Sequence, residues 1–68
     1  MPMEIVLNGE RREVPDGVTA AGLIELLELG GKRVAMEVNL DILPRSHYPQ
    51  HQFAPGDRVE IVHAIGGG

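Results

Sequence analysis

Cysteine and tryptophan are absent from the 68 residues, and the aromatics amount to one tyrosine and one phenylalanine. Without a thiol the chain can form no disulfide, no thiolate–metal bond and no cysteine nucleophile. No apolar run approaches the roughly 20 residues that a membrane-spanning helix needs. The start, MPMEIVLNGE, lacks the basic-then-apolar pattern of a signal peptide. A cytoplasmic location without membrane contact is therefore expected. Positive charge is scarce too: six Lys and Arg stand against ten Asp and Glu, a formal charge of -4, and only Arg11-Arg12 and Lys32-Arg33 are adjacent. Such a balance repels phosphate backbones and anionic lipid, so nucleic acid is not an expected partner.

What is present is aliphatic. Hydrophobic residues make up 43% of the chain, mostly Val, Ile and Leu, which suits a folded core rather than a disordered acidic chain. The length allows one domain, and a chain this short hides a smaller share of its surface than a larger one. A deep enclosed active site is therefore not expected.

The pattern along the chain predicts an α+β domain. Residues 3–7 and 10–14 flank Asn8-Gly9, the pair best suited to a two-residue hairpin turn. Pro15-Asp16-Gly17 breaks the second strand, and Thr19 stands where its hydroxyl can cap a helix. In AAGLIELLEL, Ala20, Leu23, Ile24 and Leu27 share one helical face while Ala21, Glu25 and Glu28 share the other. Gly30-Gly31 then supplies a left-handed residue to end the helix. A strand follows at 33–38, with Val34, Met36 and Val38 on one side, and LDILPR gives a brief extended stretch ended by Pro44. SHYPQHQFAPGD reads as a surface loop tied down by Tyr48 and Phe53. In DRVEIVHAI, Val59, Ile61 and Ile65 alternate with Arg58, Glu60, Val62 and Ala64 as a last strand. One helix on one sheet face leaves the other face open. That open face carries Val62, Ala64 and Val6, a candidate docking surface.

The end of the chain, HAIGGG, is its most unusual feature. Two terminal glycines arise by chance in about 0.5% of chains at ordinary glycine usage. A frayed end would tolerate them. A substrate arm would require them: Gly66, Gly67 and Gly68 carry no Cβ and can thread a slot too narrow for side chains. The α-carboxylate of Gly68 would then reach another protein's active site, ionised at pH 7 given a reference pKa of about 3.3 to 3.7. It is a usable nucleophile towards the α-phosphate of ATP and a poor electrophile until activated. His47 and His51 are four apart, but Pro49 between them argues against a shared helix, and no metal site is expected; the histidines read as solvated loop residues. No acid, base or nucleophile constellation and no phosphate-binding motif is visible, so the chain is not expected to be an enzyme.

The stretches VNLDILPR (38–45), GDRVEIVHAIGGG (56–68) and DGVTAAGLIELLEL (16–29) together resemble the ThiS family, the sulfur carriers of thiamine thiazole biosynthesis. The resemblance rests on Asn39 followed by Leu43-Pro44-Arg45, on Gly56-Asp57 opening the last strand, and on the terminal Gly67-Gly68. It implies a ubiquitin-like β-grasp fold, a mixed sheet of four to five strands on one main helix, spanning 1–65 and followed by a flexible tail of 66–68. It also implies that an E1-like (ThiF-type) enzyme uses ATP and magnesium to adenylate Gly68. A sulfur donor such as a cysteine desulfurase then converts the adenylate to a thiocarboxylate, which hands its sulfur to a ThiG-type thiazole synthase. Gly67 and Gly66 would be presented to the partners with Ile65 anchoring the tail's root, and Arg45 is a further candidate for docking. The carrier itself would bind no cofactor. The absent cysteine fits, because the sulfur would ride on the C-terminal carbonyl. Gly66 departs from the family, which tolerates a small residue such as Ala there. The alternatives are a carrier for another pathway, such as molybdopterin synthesis, and a non-catalytic β-grasp binding module.

Overall fold

The computed structural model describes residues 1–63 and opens with the expected hairpin. Strand β1 (Pro2–Leu7) pairs antiparallel with β2 (Glu10–Pro15), from Leu7 opposite Glu10 back to Pro2 opposite Pro15. Asn8 and Gly9 take φ values of 51° and 84°, the left-handed backbone that a tight hairpin of this twist requires. Thr19 caps helix α1 (Ala20–Leu26), its hydroxyl accepting a 3.0 Å hydrogen bond from the Gly22 N–H.

The helix stops sooner than its apolar periodicity predicts. Leu27 is the C-cap and Glu28, not Gly30 or Gly31, supplies the left-handed residue, at φ 59°. The N–H of Glu28 bonds Glu25 O at 3.0 Å and that of Leu29 bonds Ile24 O at 2.9 Å, the paired closure of a Schellman motif. This turn folds Leu29 back against the core beside Ile24, and that contact offsets the cost of a left-handed glutamate. Gly31, at φ 82°, serves the turn that follows.

Beyond that turn lie β3 (Val34–Val38) and β4 (Asp41–Leu43), an antiparallel hairpin with Met36 opposite Leu43. Its turn is Asn39-Leu40, both at positive φ (52° and 74°), so the short extended stretch expected here is a paired edge strand. Residues between Pro44 and Asp57 form the predicted loop, with a 3-10 turn at Arg45–His47 and with Tyr48 and Phe53 buried. The loop also serves the helix: Tyr48 O and His51 O accept from the Ala21 and Ala20 N–H groups at 3.0 and 2.9 Å, first-turn donors that have no partner within the helix.

Strand β5 (Arg58–His63) runs through the middle of a five-stranded sheet ordered β2-β1-β5-β3-β4. It lies parallel to β1 and antiparallel to β3. The helix covers one face. Ile5, Leu23, Met36 and Val59 are the largest fully buried side chains, joined by Val14, Ala20, Ile61 and others in one apolar cluster. One helix on a mixed five-stranded sheet is the β-grasp arrangement. Among the described residues no helix is long and apolar enough to cross a membrane.

Candidate functional site

Strand β5 is held by backbone pairing with β1 and β3 and braced by a few polar side chains. At its start, Gly56 turns at φ 84° and its N–H bonds Glu4 O at 2.7 Å. The Asp57 carboxylate accepts from Ala54 N at 2.9 Å and from Asn39 Nδ2 at 3.1 Å, while Asn39 Oδ1 accepts from Arg58 N at 3.0 Å. Asn39 and Asp57 therefore lock the β3–β4 turn to the entrance of β5. Further along, the N–H groups of Val6 and Asn8 bond Asp57 O and Val59 O at 2.9 and 2.8 Å, and the Asn8 carboxamide then holds Ile61.

Along β5, Val59 and Ile61 face the helix, so Arg58, Glu60 and Val62 face the open side of the sheet. Val62 is 59% exposed and lies opposite Ala35; Val6 is half-buried and lies opposite Arg58. These two candidate docking residues thus share a face but stand about 13 Å apart along the strand direction. Arg58 and Glu60 lie between them, with Glu37 opposite Glu60. Two larger apolar side chains escaped the sequence reading: Ile42, 76% exposed and opposite Glu37, and Leu40, 84% exposed. The signal for both was available in principle, because Asn39 can start a hairpin turn, and pairing LDIL with the preceding strand puts Leu43 inside and Ile42 outside. A shallow depression on this face is lined by Val6, Gly9, Leu40 and Arg58 together with Glu37 and Glu60.

Arg45 lies elsewhere. Its Nη2 donates to Lys32 O at 3.4 Å, and it lines a separate concavity with Tyr48, Leu29 and Lys32. The structure thus brings Val6 and Val62 onto one face and leaves Arg45 off it. Ala64, Ile65, Gly66, Gly67 and Gly68 lie outside the described residues. One histidine is not a solvated loop residue as expected: His51 is half-buried, edge-on to Phe53 at 5.3 Å, with Nε2 buried and without a hydrogen-bond partner among the described residues. No cluster of three or more metal-binding side chains occurs among the described residues.

Comparison with known proteins gives these features a context. Residues 5–68 match the model of the ThiS family. The chain is 42% identical over 66 residues to a thiazole synthase of Paramagnetospirillum magneticum; the match takes in 97% of this chain and spans 20% of that protein's length. It is 30% identical over 66 residues to the sulfur carrier protein ThiS of Escherichia coli, covering 97% of this chain and 100% of the carrier. The crystal structure of a thiamine biosynthesis protein (ThiS) from Geobacter metallireducens superposes with a TM-score of 0.83 at 26% identity, covering 97% of this chain and 100% of that one.

Proposed function

The chain belongs to the ThiS family, and from that premise we propose that it is a sulfur carrier of thiamine biosynthesis, a protein cosubstrate rather than a catalyst. The observation that carries this reading is the extent of the family match, which runs from within β1 through the terminal glycines to residue 68. In this reading the Gly68 carboxylate attacks the α-phosphate of ATP in a partner adenylating enzyme, forming the acyl-adenylate as pyrophosphate leaves. The persulfide of a donor such as a cysteine desulfurase then adds to the activated carbonyl through its terminal sulfur and expels AMP. A thiol reductant cleaves the resulting acyl disulfide, releasing the thiocarboxylate and leaving the second sulfur in a disulfide with that thiol. Thiazole synthase is the acceptor, a choice supported by a relative of that name of which this chain matches one fifth.

The fold suits that role. A central strand held on both sides by β1 and β3 gives the last residues a firm root. The open face beside it, with Val6, Val62, Ile42 and Leu40, is the surface we assign to partner docking. Ile65, Gly66 and Gly67 form the arm presented to the partner's site.

Intact-protein mass spectrometry tests the proposal. The purified chain, incubated with MgATP, its adenylating enzyme and a sulfur donor, is expected to exchange one oxygen for sulfur, with fragmentation placing the change on Gly68. A mass that never changes while the partner still binds would overturn the carrier reading.

A further inference from the structure

Strand β1 is too short to accompany β5 to its end. The two run parallel, with Val6 opposite Arg58 and Leu7 opposite Val59, and then Asn8-Gly9 turns the chain away into β2. Odd-numbered residues of β5 present their peptide groups to that side: Asp57 O and Val59 O each accept a backbone N–H from β1. Ile61 is next in the series and has no β1 backbone left to meet. The Asn8 side chain fills the place, its Oδ1 accepting from Ile61 N at 2.9 Å and its Nδ2 donating to Ile61 O at 3.2 Å. A carboxamide offers the same donor–acceptor pair as a peptide unit, so it makes one more rung of the ladder after the strand has ended.

We propose that Asn8 is a positioning residue for the carrier's reactive end: its carboxamide is the last rung on the β1 side of β5 among the described residues and fixes the strand from which the chain runs on to Gly68. This rests on the carrier reading above. A turn role alone does not require the contact. The positive φ at Asn8 is met by Gly as well as by Asn, and neither hydrogen bond to Ile61 contributes to pairing β1 with β2. What the amide adds is a grip on the strand two residues before His63, the last described residue of β5. Without it, among the described residues, β5 is held on that side as far as Val59 O, while β3 still pairs with Val62 and His63.

Two variants separate the possibilities. Asn8→Gly keeps the turn's backbone and removes both bonds. Asn8→Asp keeps the turn and the acceptor for Ile61 N but faces Ile61 O with a second oxygen. Amide exchange of the free protein is expected to quicken at Ile61 in Asn8→Gly, with β1–β2 amides unchanged, while Asn8→Asp keeps much of the Ile61 protection. In steady-state adenylation by the cognate enzyme, Asn8→Gly is expected to lower kcat about three- to tenfold, the effect of losing roughly one net hydrogen bond's worth of preorganisation, with KM for the carrier near that of the unaltered protein. Unchanged exchange at Ile61 would overturn the proposal. So would a rise in KM at constant kcat, which would make Asn8 a docking residue, or an unaltered kcat alongside faster exchange, which would make the clamp purely structural. If the unaltered protein is not adenylated at all, the carrier reading fails, and the exchange experiment alone still decides whether the amide holds Ile61.

Discussion

Leu40 sits at φ 74° with 84% of its surface exposed, a combination that neither backbone preference nor burial rewards. A left-handed leucine costs about 1 to 2 kcal/mol relative to its ordinary conformations, and nothing in the core repays it. Asn8-Gly9 was legible as a turn because both residue types tolerate positive φ. Asn39-Leu40 was not, because leucine conceals the second position. Leu40→Gly should therefore stabilise the domain by about 0.5 to 1 kcal/mol, part of the relieved strain being lost to the greater freedom of glycine in the unfolded chain. Urea unfolding should show a higher midpoint at an unchanged slope. If the open face docks partners as proposed, the same variant should bind the adenylating enzyme more weakly despite being more stable. Equal binding would remove Leu40 from that surface.

Local signals and the apolar pattern make the start of α1, its buried face and the anchoring of the loop by Tyr48 and Phe53 legible in the sequence, whereas the end of α1 is not. The start of α1 follows from one side chain: Thr19 caps it, and Thr19→Ala should cost about 1 kcal/mol in denaturant unfolding. Its end is a tertiary event. The apolar period runs on through Leu29, yet the helix closes after Leu26 because a Schellman turn brings Leu29 onto the core sooner than a continued helix would. The left-handed cost at Glu28 is the measurable residue of that compromise. Glu28→Gly should stabilise by about 0.5 to 1 kcal/mol with unchanged helix content by circular dichroism. A gain in helicity would mean that the glutamate, not the Leu29 contact, limits the helix. The His51 environment was missed for a related reason: its placement depends on the loop carbonyls that serve the helix N-terminus, and no periodicity records such a contact.

At the scale of the whole molecule, periodicity and turn residues supply the succession of strands and helix but not which strands meet. The parallel pairing of β1 with β5 joins opposite ends of the chain, and the side chains that brace β5, Asn8 on the β1 side and Asn39 with Asp57 on the β3–β4 side, meet their partners only after folding. The resemblance to ThiS carriers anticipated that arrangement where local patterns could not. The same arrangement separates stability from function. Among the described residues the buried cluster runs from Met3 to Ile61, whereas the proposed chemistry is at Gly68. A domain of this size has about 3 to 10 kcal/mol of stability in all. Leu23→Ala, at a fully buried position, removes about 2 to 5 kcal/mol of it and should lower the unfolding midpoint steeply. The fraction that remains folded should still be adenylated at its normal rate per molecule. Deleting Gly68 should do the reverse, leaving thermal unfolding where it was while abolishing ATP-dependent activation. Because the two variants are expected to fail in opposite assays, a loss of stability on deleting Gly68 would show that the glycines support the fold rather than serve as a substrate arm.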